Sequence, residues 1–190
     1  MAGPSPQLFH AFSTACAAAG DMERASVYAV AALSHPDARA GQYAWAIGLA
    51  ASTGGDCDSL FRAGMDRFPR SVEIMRARLM VPLSLGEPPD REDLLDGILA
   101  LQPASPEVLR TAVLWCLGAG RFREATDYAV RAIAAAGEPD AVLLLAACTA
   151  AEAAGDSTAA ETTANYARSL FPGDPAFLEF LEIPARGSGP

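Results

Sequence analysis

The sequence predicts an all-α chain of about five helix-turn-helix units in tandem, and three observations lead there. Glycines recur at Gly20, Gly55, Gly86, Gly120 and Gly155, spaced by 35, 31, 34 and 35 residues. Prolines recur in the alternate phase, at Pro36, Pro69, Pro103, Pro139 and Pro172, spaced by 33, 34, 36 and 33. Between these marks the chain is rich in alanine and leucine and poor in β-branched residues, a composition that favours helices over strands. A fixed period of this length is the mark of repeated supersecondary units rather than of one central core.

Each boundary has a physical reason. A glycine suits the left-handed backbone that ends a helix, and acidic or hydroxyl residues suit the start of the next. The turns read GDMERA (20–25), GDCDSL (55–60), GEPPDR (86–91), GRFREA (120–125) and GDSTAA (155–160). Proline just beyond a helix prevents its continuation. The units are therefore expected at about 6–38, 41–69, 72–103, 106–139 and 141–172, with a short cap at 174–182 and a flexible tail at 183–190. ASVYAVAAL (25–33) and ATDYAVRAI (125–133) share five of nine residues at a distance of 100. Down the second helices run Ala25, Ala29 and Ala32, then Ala125, Ala129 and Ala132, then Ala160, Ala164 and Ala167. Steps of four and three residues put these alanines on one helical face, where a neighbouring helix can approach closely. The first helices, such as AVLWCL (112–117) and AVLLLAAC (141–148), are apolar all round, as suits helices flanked on both sides.

This arrangement resembles the tetratricopeptide repeat family over residues 6–181. The first unit supplies Phe9, Phe12, Cys16, Gly20, Ala25 and Ala32; the second, Ile47, Gly48 and Gly55. The fourth supplies Leu109, Cys116, Gly120, Ala125, Ala129 and Ala132, although Pro139 comes about two residues late. The fifth supplies Gly155, Ala160, Ala164, Ala167 and Pro172. The second unit is about three residues short in its second helix (58–68). The third departs most, with Arg78 at a core-type position, Pro82 inside its first helix and a Pro88-Pro89 turn. The resemblance implies a right-handed α-solenoid closed by a capping helix, for which Phe177, Leu178 and Leu181 are suited.

Charge narrows the function. A formal net charge of −9 opposes binding to nucleic acid, which needs clustered basic residues, and to an anionic membrane. Every basic residue other than histidine is arginine, and there is no lysine. The N-terminus lacks the positive flank of a signal peptide and no run is long enough to span a bilayer, so a cytoplasmic bacterial protein is expected. The cysteines, Cys16, Cys57, Cys116 and Cys148, are widely spaced and read as buried free thiols. No phosphate loop, HExxH, paired-cysteine or GxSxG motif occurs; no catalytic residue, cofactor or metal is expected. His35, next to Pro36, reads as an exposed turn residue, and Trp115 as packing.

In tetratricopeptide arrays the first helices line a concave groove, so the resemblance implies groove-facing columns here. One runs His10, Trp45, Arg76, Arg110 and Leu145; the next turn gives Thr14, Leu49, Met80, Leu114 and Thr149; one turn earlier lie Gln7, Gln42, Glu73, Glu107 and Val142. The candidate partner-binding residues are Trp45, Leu49, Arg76, Met80, Arg110, Leu114 and Leu145. Their apolar members suit an amphipathic helix or extended peptide. The two arginines suit a carboxylate, or else pair with nearby acids such as Glu73 and Glu107. The family's lysine- and asparagine-based carboxylate clamp cannot form, because lysine is absent and the only asparagine, Asn165, lies on a second helix. The expected function is a protein-interaction scaffold, an adaptor or chaperone that binds a partner's peptide or helix. The alternative is a self-associating module, such as a homodimer, or a regulatory piece of a secretion system or multidomain enzyme.

Overall fold

The structure, a computed structural model, describes residues 5–81, 91–175 and 177. Pro82, Gly86, the Pro88-Pro89 turn, most of the expected cap with Leu178 and Leu181, and the 183–190 tail lie outside the described residues. Ten helices fall among the described residues: α1 (Pro6–Ala18), α2 (Met22–Leu33), α3 (Ala40–Thr53), α4 (Cys57–Arg67), α5 (Val72–Leu79), α6 (Arg91–Leu101), α7 (Pro106–Gly118), α8 (Phe122–Ala136), α9 (Ala141–Ala153) and α10 (Ser157–Leu170). None is long and apolar enough to cross a membrane. The chain divides into two compact units, Met1–Leu101 and Gln102–Pro190.

The turns inside the hairpins share one hydrogen-bond pattern. Gly20, Gly120 and Gly155 all adopt left-handed φ angles of 72–81°. In each turn the following amide reaches back over the helix end: Asp21 N–H to the Cys16 carbonyl at 2.9 Å, Arg121 to Cys116 at 2.8 Å, Asp156 to Ala151 at 2.9 Å. Such a closure satisfies carbonyls that a helix end otherwise strands. In the second turn the left-handed residue is Gly54 rather than Gly55, and the Gly55 amide makes the equivalent bond to Ala50 at 2.7 Å. The helix starts follow too. Asp21, Asp56, Asp140 and Asp156 accept from the amide three residues on, at 2.8–3.1 Å, and Ser5, Ser71 and Ser105 do so more loosely.

In the Met1–Leu101 unit, α1 pairs with α2, α3 with α4 and α5 with α6, while α3 also packs on α2 and α5. Ala25 and Ala29 are buried against Ala46 and Leu49 of α3. Tyr43, Ile47, Cys57 and Ile74 form a second cluster, edged by Leu60, Phe61 and Phe68. α5, at 8 residues, is the shortest helix described, and α4 has 11 against 14 in α10 and 15 in α8. Arg78, on α5, is buried, and its guanidinium pairs with Asp58 on α4. The charge at a core-type position is thus held by the second helix of the preceding hairpin. Gln102–Pro190 pairs α7 with α8 and α9 with α10, and packs α8 and α7 on α9. Ala125, Ala129, Ala132, Ala160, Ala164 and Ala167 are all buried. Phe177 is fully buried in a cluster with Leu144 and Ala167, its ring 6.2 Å from that of Phe171.

Candidate functional site

The candidate residues fall in two groups, because Trp45, Leu49, Arg76 and Met80 belong to one compact unit and Arg110, Leu114 and Leu145 to the other. In the first, Trp45 is half-buried on α3. Its indole N–H donates to the Ser13 hydroxyl at 2.8 Å, and that hydroxyl donates to the Ala25 carbonyl at 2.7 Å. Ser13 is completely buried, so this relay satisfies a polar group that would otherwise be costly inside the fold. His10 meets the indole edge-on at 5.9 Å. The ring is therefore fixed, with its lower edge committed to packing α3 on α1. Leu49 is a correction. It is buried against Ala25, Ala29 and Ala46 and presents nothing to solvent, because α2 packs directly over that turn of α3. Gln42 is buried as well, its side-chain oxygen accepting from the Arg39 amide at 2.7 Å. Arg76 is half-buried and engaged, and Met80 is 46% exposed at the end of α5.

In the second unit Arg110 and Leu114 are half-buried along α7, and Leu145 and Val142 of α9 are 36% and 53% exposed. Arg110 is not a free jaw. Its guanidinium pairs with Asp140, which also caps α9 by accepting from the Leu143 amide at 2.8 Å. Asp140 was not among the acids expected to hold an arginine here; its N-cap position before α9 was the available signal. Trp115 is buried and covered by Arg121, whose guanidinium carbon lies 5.1 Å from the ring centroid and which also pairs with Glu124. Tryptophan in this setting packs; it is not a platform for a ligand.

All four cysteines are free. Burial pushes the Cys116 and Cys148 thiols up to about 11, and raises Cys57 as well, which keeps them protonated and poorly nucleophilic. No group of three or more His, Cys, Asp or Glu among the described residues is placed to hold a metal. What the face can do is bury apolar surface and donate a few hydrogen bonds.

Paired helices with glycine-closed turns, alanine-lined second helices and proline between units make this an all-α helical-repeat solenoid of the tetratricopeptide type. Solved structures agree at the level of fold. A tetratricopeptide repeat protein from Parabacteroides merdae matches with a TM-score of 0.69 and 17% identity, over 94% of this chain and 71% of its own. A thermophilic tetratricopeptide repeat protein of Thermus thermophilus matches at 0.69 and 14%, over 93% and 97%. PilF of Pseudomonas aeruginosa matches at 0.65 and 16%, over 93% and 81%. No protein-family model and no curated protein sequence matches the chain.

Proposed function

We propose that the chain is a non-catalytic interaction scaffold, an adaptor or chaperone of the bacterial cytoplasm, that receives an amphipathic helix or extended peptide of a partner protein on its first helices. The observation that carries this reading is the apolar surface those helices leave open. In the first unit Met80 stands exposed at the end of α5 and Trp45 is half-buried on α3; in the second, Val142 and Leu145 stand exposed on α9 and Leu114 is half-buried on α7. Covering a side chain of that size is worth roughly 1.5–3 kcal/mol, so two or three such anchors per unit supply useful affinity after the cost of association. Tryptophan held rigid by Ser13 loses little entropy on binding, which suits it as an anchor. The bacterial sources of the neighbouring folds and the chain's acidity are compatible with a soluble adaptor for a basic or amphipathic segment.

Capture from the native host tests the reading. Met80→Glu with Leu145→Glu should abolish recovery of the bound protein, whereas Val130→Glu, an exposed valine on the second helix α8, should leave it intact. Equal recovery by both variants would remove the first helices from the interface. A second reading, self-association, is favoured by one observation: Leu8 and Phe12 of α1 are 44% and 46% exposed, one turn apart on the outermost helix of their unit. A dimer built on that face dissociates in Leu8→Glu and Phe12→Glu when light scattering is followed against concentration. A monomer at all concentrations of the parent chain ends that alternative.

A further inference from the structure

A cavity of about 740 Å³ opens within the Met1–Leu101 unit where the α2–α3 turn meets the start of α1 and the end of α4. Its wall gathers positive potential from separate parts of the chain. Arg67 closes α4, and its guanidinium donates to the His35 carbonyl at 3.3 Å and lies 5.6 Å from the Phe68 ring centroid, which fixes its direction. Arg39 precedes α3 and is exposed. Neither arginine has a carboxylate partner within ion-pair distance among the described residues. In a chain of net charge −9, two unpaired guanidiniums on one concave wall are a local reversal of sign. The wall holds one carboxylate, Asp37, which is largely exposed and lies 3.7 Å from His35 Nδ1.

One helix start adds a donor: at α1 the Gln7 amide, on the cavity wall, precedes the first intrahelical bond. His35 Nδ1 accepts the Asp37 amide at 3.1 Å, so a neutral ring carries its hydrogen on Nε2 and is a further donor.

We propose that this cavity is an oxyanion site, which takes a carboxylate or phosphoryl group between Arg39 and Arg67, with the Gln7 amide of α1 and His35 Nε2 as its uncharged donors. Guanidiniums bind such groups in a forked manner, and helix starts favour negative charge through both their free N–H groups and the axial dipole. Arg39 and Arg67 are not among the groove-facing residues of the first helices, and the proposal does not depend on what that face binds.

Thermal unfolding of the full chain at low ionic strength, with inorganic phosphate or succinate against sodium chloride of equal ionic strength, tests it. At a tenfold excess over Kd the bound anion should raise Tm by about 4 °C. The gain should vanish in Arg39→Gln/Arg67→Gln and survive in Arg24→Gln, an exposed arginine on α2 paired with Asp21. A gain with phosphate alone names a phosphoryl ligand; a gain with succinate names a carboxylate. Should the double variant fold poorly, the parent chain still decides: the titrated anion must shift the Gln7 amide resonance. The proposal is overturned if neither anion exceeds chloride, if the double variant responds like the parent, or if that amide does not move.

Discussion

Cys116 and Cys148 sit fully buried on α7 and α9, and desolvation holds both thiols at about 11 against an ordinary 9.0. A raised pKa means that the folded chain keeps these protons more tightly than the unfolded chain. Their contribution to stability is therefore complete below pH 9 and is lost as pH rises through 9 towards 11. By the linkage relation the loss at pH 11 is about 2 kcal/mol per thiol. The chain has no lysine to titrate in this window, and its four tyrosines, which ordinarily titrate at about 10, are common to parent and variant. Urea unfolding at pH 8 and pH 10.5 should show a steeper decline for the parent than for Cys116→Ala/Cys148→Ala; parallel declines would mean that the thiols ionise freely in the fold. At this scale the sequence was legible where a residue's neighbours lie on its own helix or an adjacent turn. It failed where a partner arrives from another hairpin. Leu49 looked like groove surface because the spacing of first helices does not say how closely α2 covers α3. Arg78 was recognisable as misplaced, but nothing in its surroundings in sequence pointed to Asp58, twenty residues earlier.

Among the helices, two glycines separate propensity from packing. Gly48 lies inside α3, exposed, with nothing within 4 Å of where a Cβ would stand. Gly64 lies inside α4, and a Cβ there would meet Ile74 Cδ1 and Tyr43 Cδ1 at 3.1 Å. Both neighbours are buried and cannot withdraw freely. Replacing glycine by alanine in a helix gains about 1 kcal/mol from propensity alone, while overpacking costs roughly 1–3 kcal/mol. Gly48→Ala should therefore raise the unfolding free energy by about 1 kcal/mol, and Gly64→Ala should leave it unchanged or lower it. The same gain in both variants would show that α4 can slide away from α3 and α5 at no cost. Sequence spacing marked Gly48 as the small residue of the second unit, yet the close approach of helices is at Gly64. The period identifies which positions are small; the local shortening of α4 decides which of them another helix touches. The four described hairpin turns needed no such correction beyond Gly54, because their hydrogen bonds close within six residues and the information is local.

For the whole chain the repeat was readable because the described hairpin turns restate one closure and three of the second helices, α2, α8 and α10, restate one alanine face. The division after Leu101 was not, since LQPAS (101–105) has the composition of any other turn between units. Whether the two compact units melt together follows from how much of each core lies within its own bounds, and both have clusters of their own. In arrays of this kind stability is a sum of local terms, so a local defect need not be felt throughout. The chain carries its own reporters: of two tryptophans, Trp45 lies in the first unit and Trp115 in the second. Ala129→Leu on α8 puts a bulky side chain at a fully packed position and should cost roughly 1–3 kcal/mol. Introduced into Trp45→Phe, where only Trp115 emits, it should lower the urea midpoint by that amount. Introduced into Trp115→Phe, where only Trp45 emits, it should move the midpoint far less. Equal displacement of the two traces would mean that one cooperative transition joins the units, and no displacement in either would show that Ala129 is not packed as the α8–α9 contact requires.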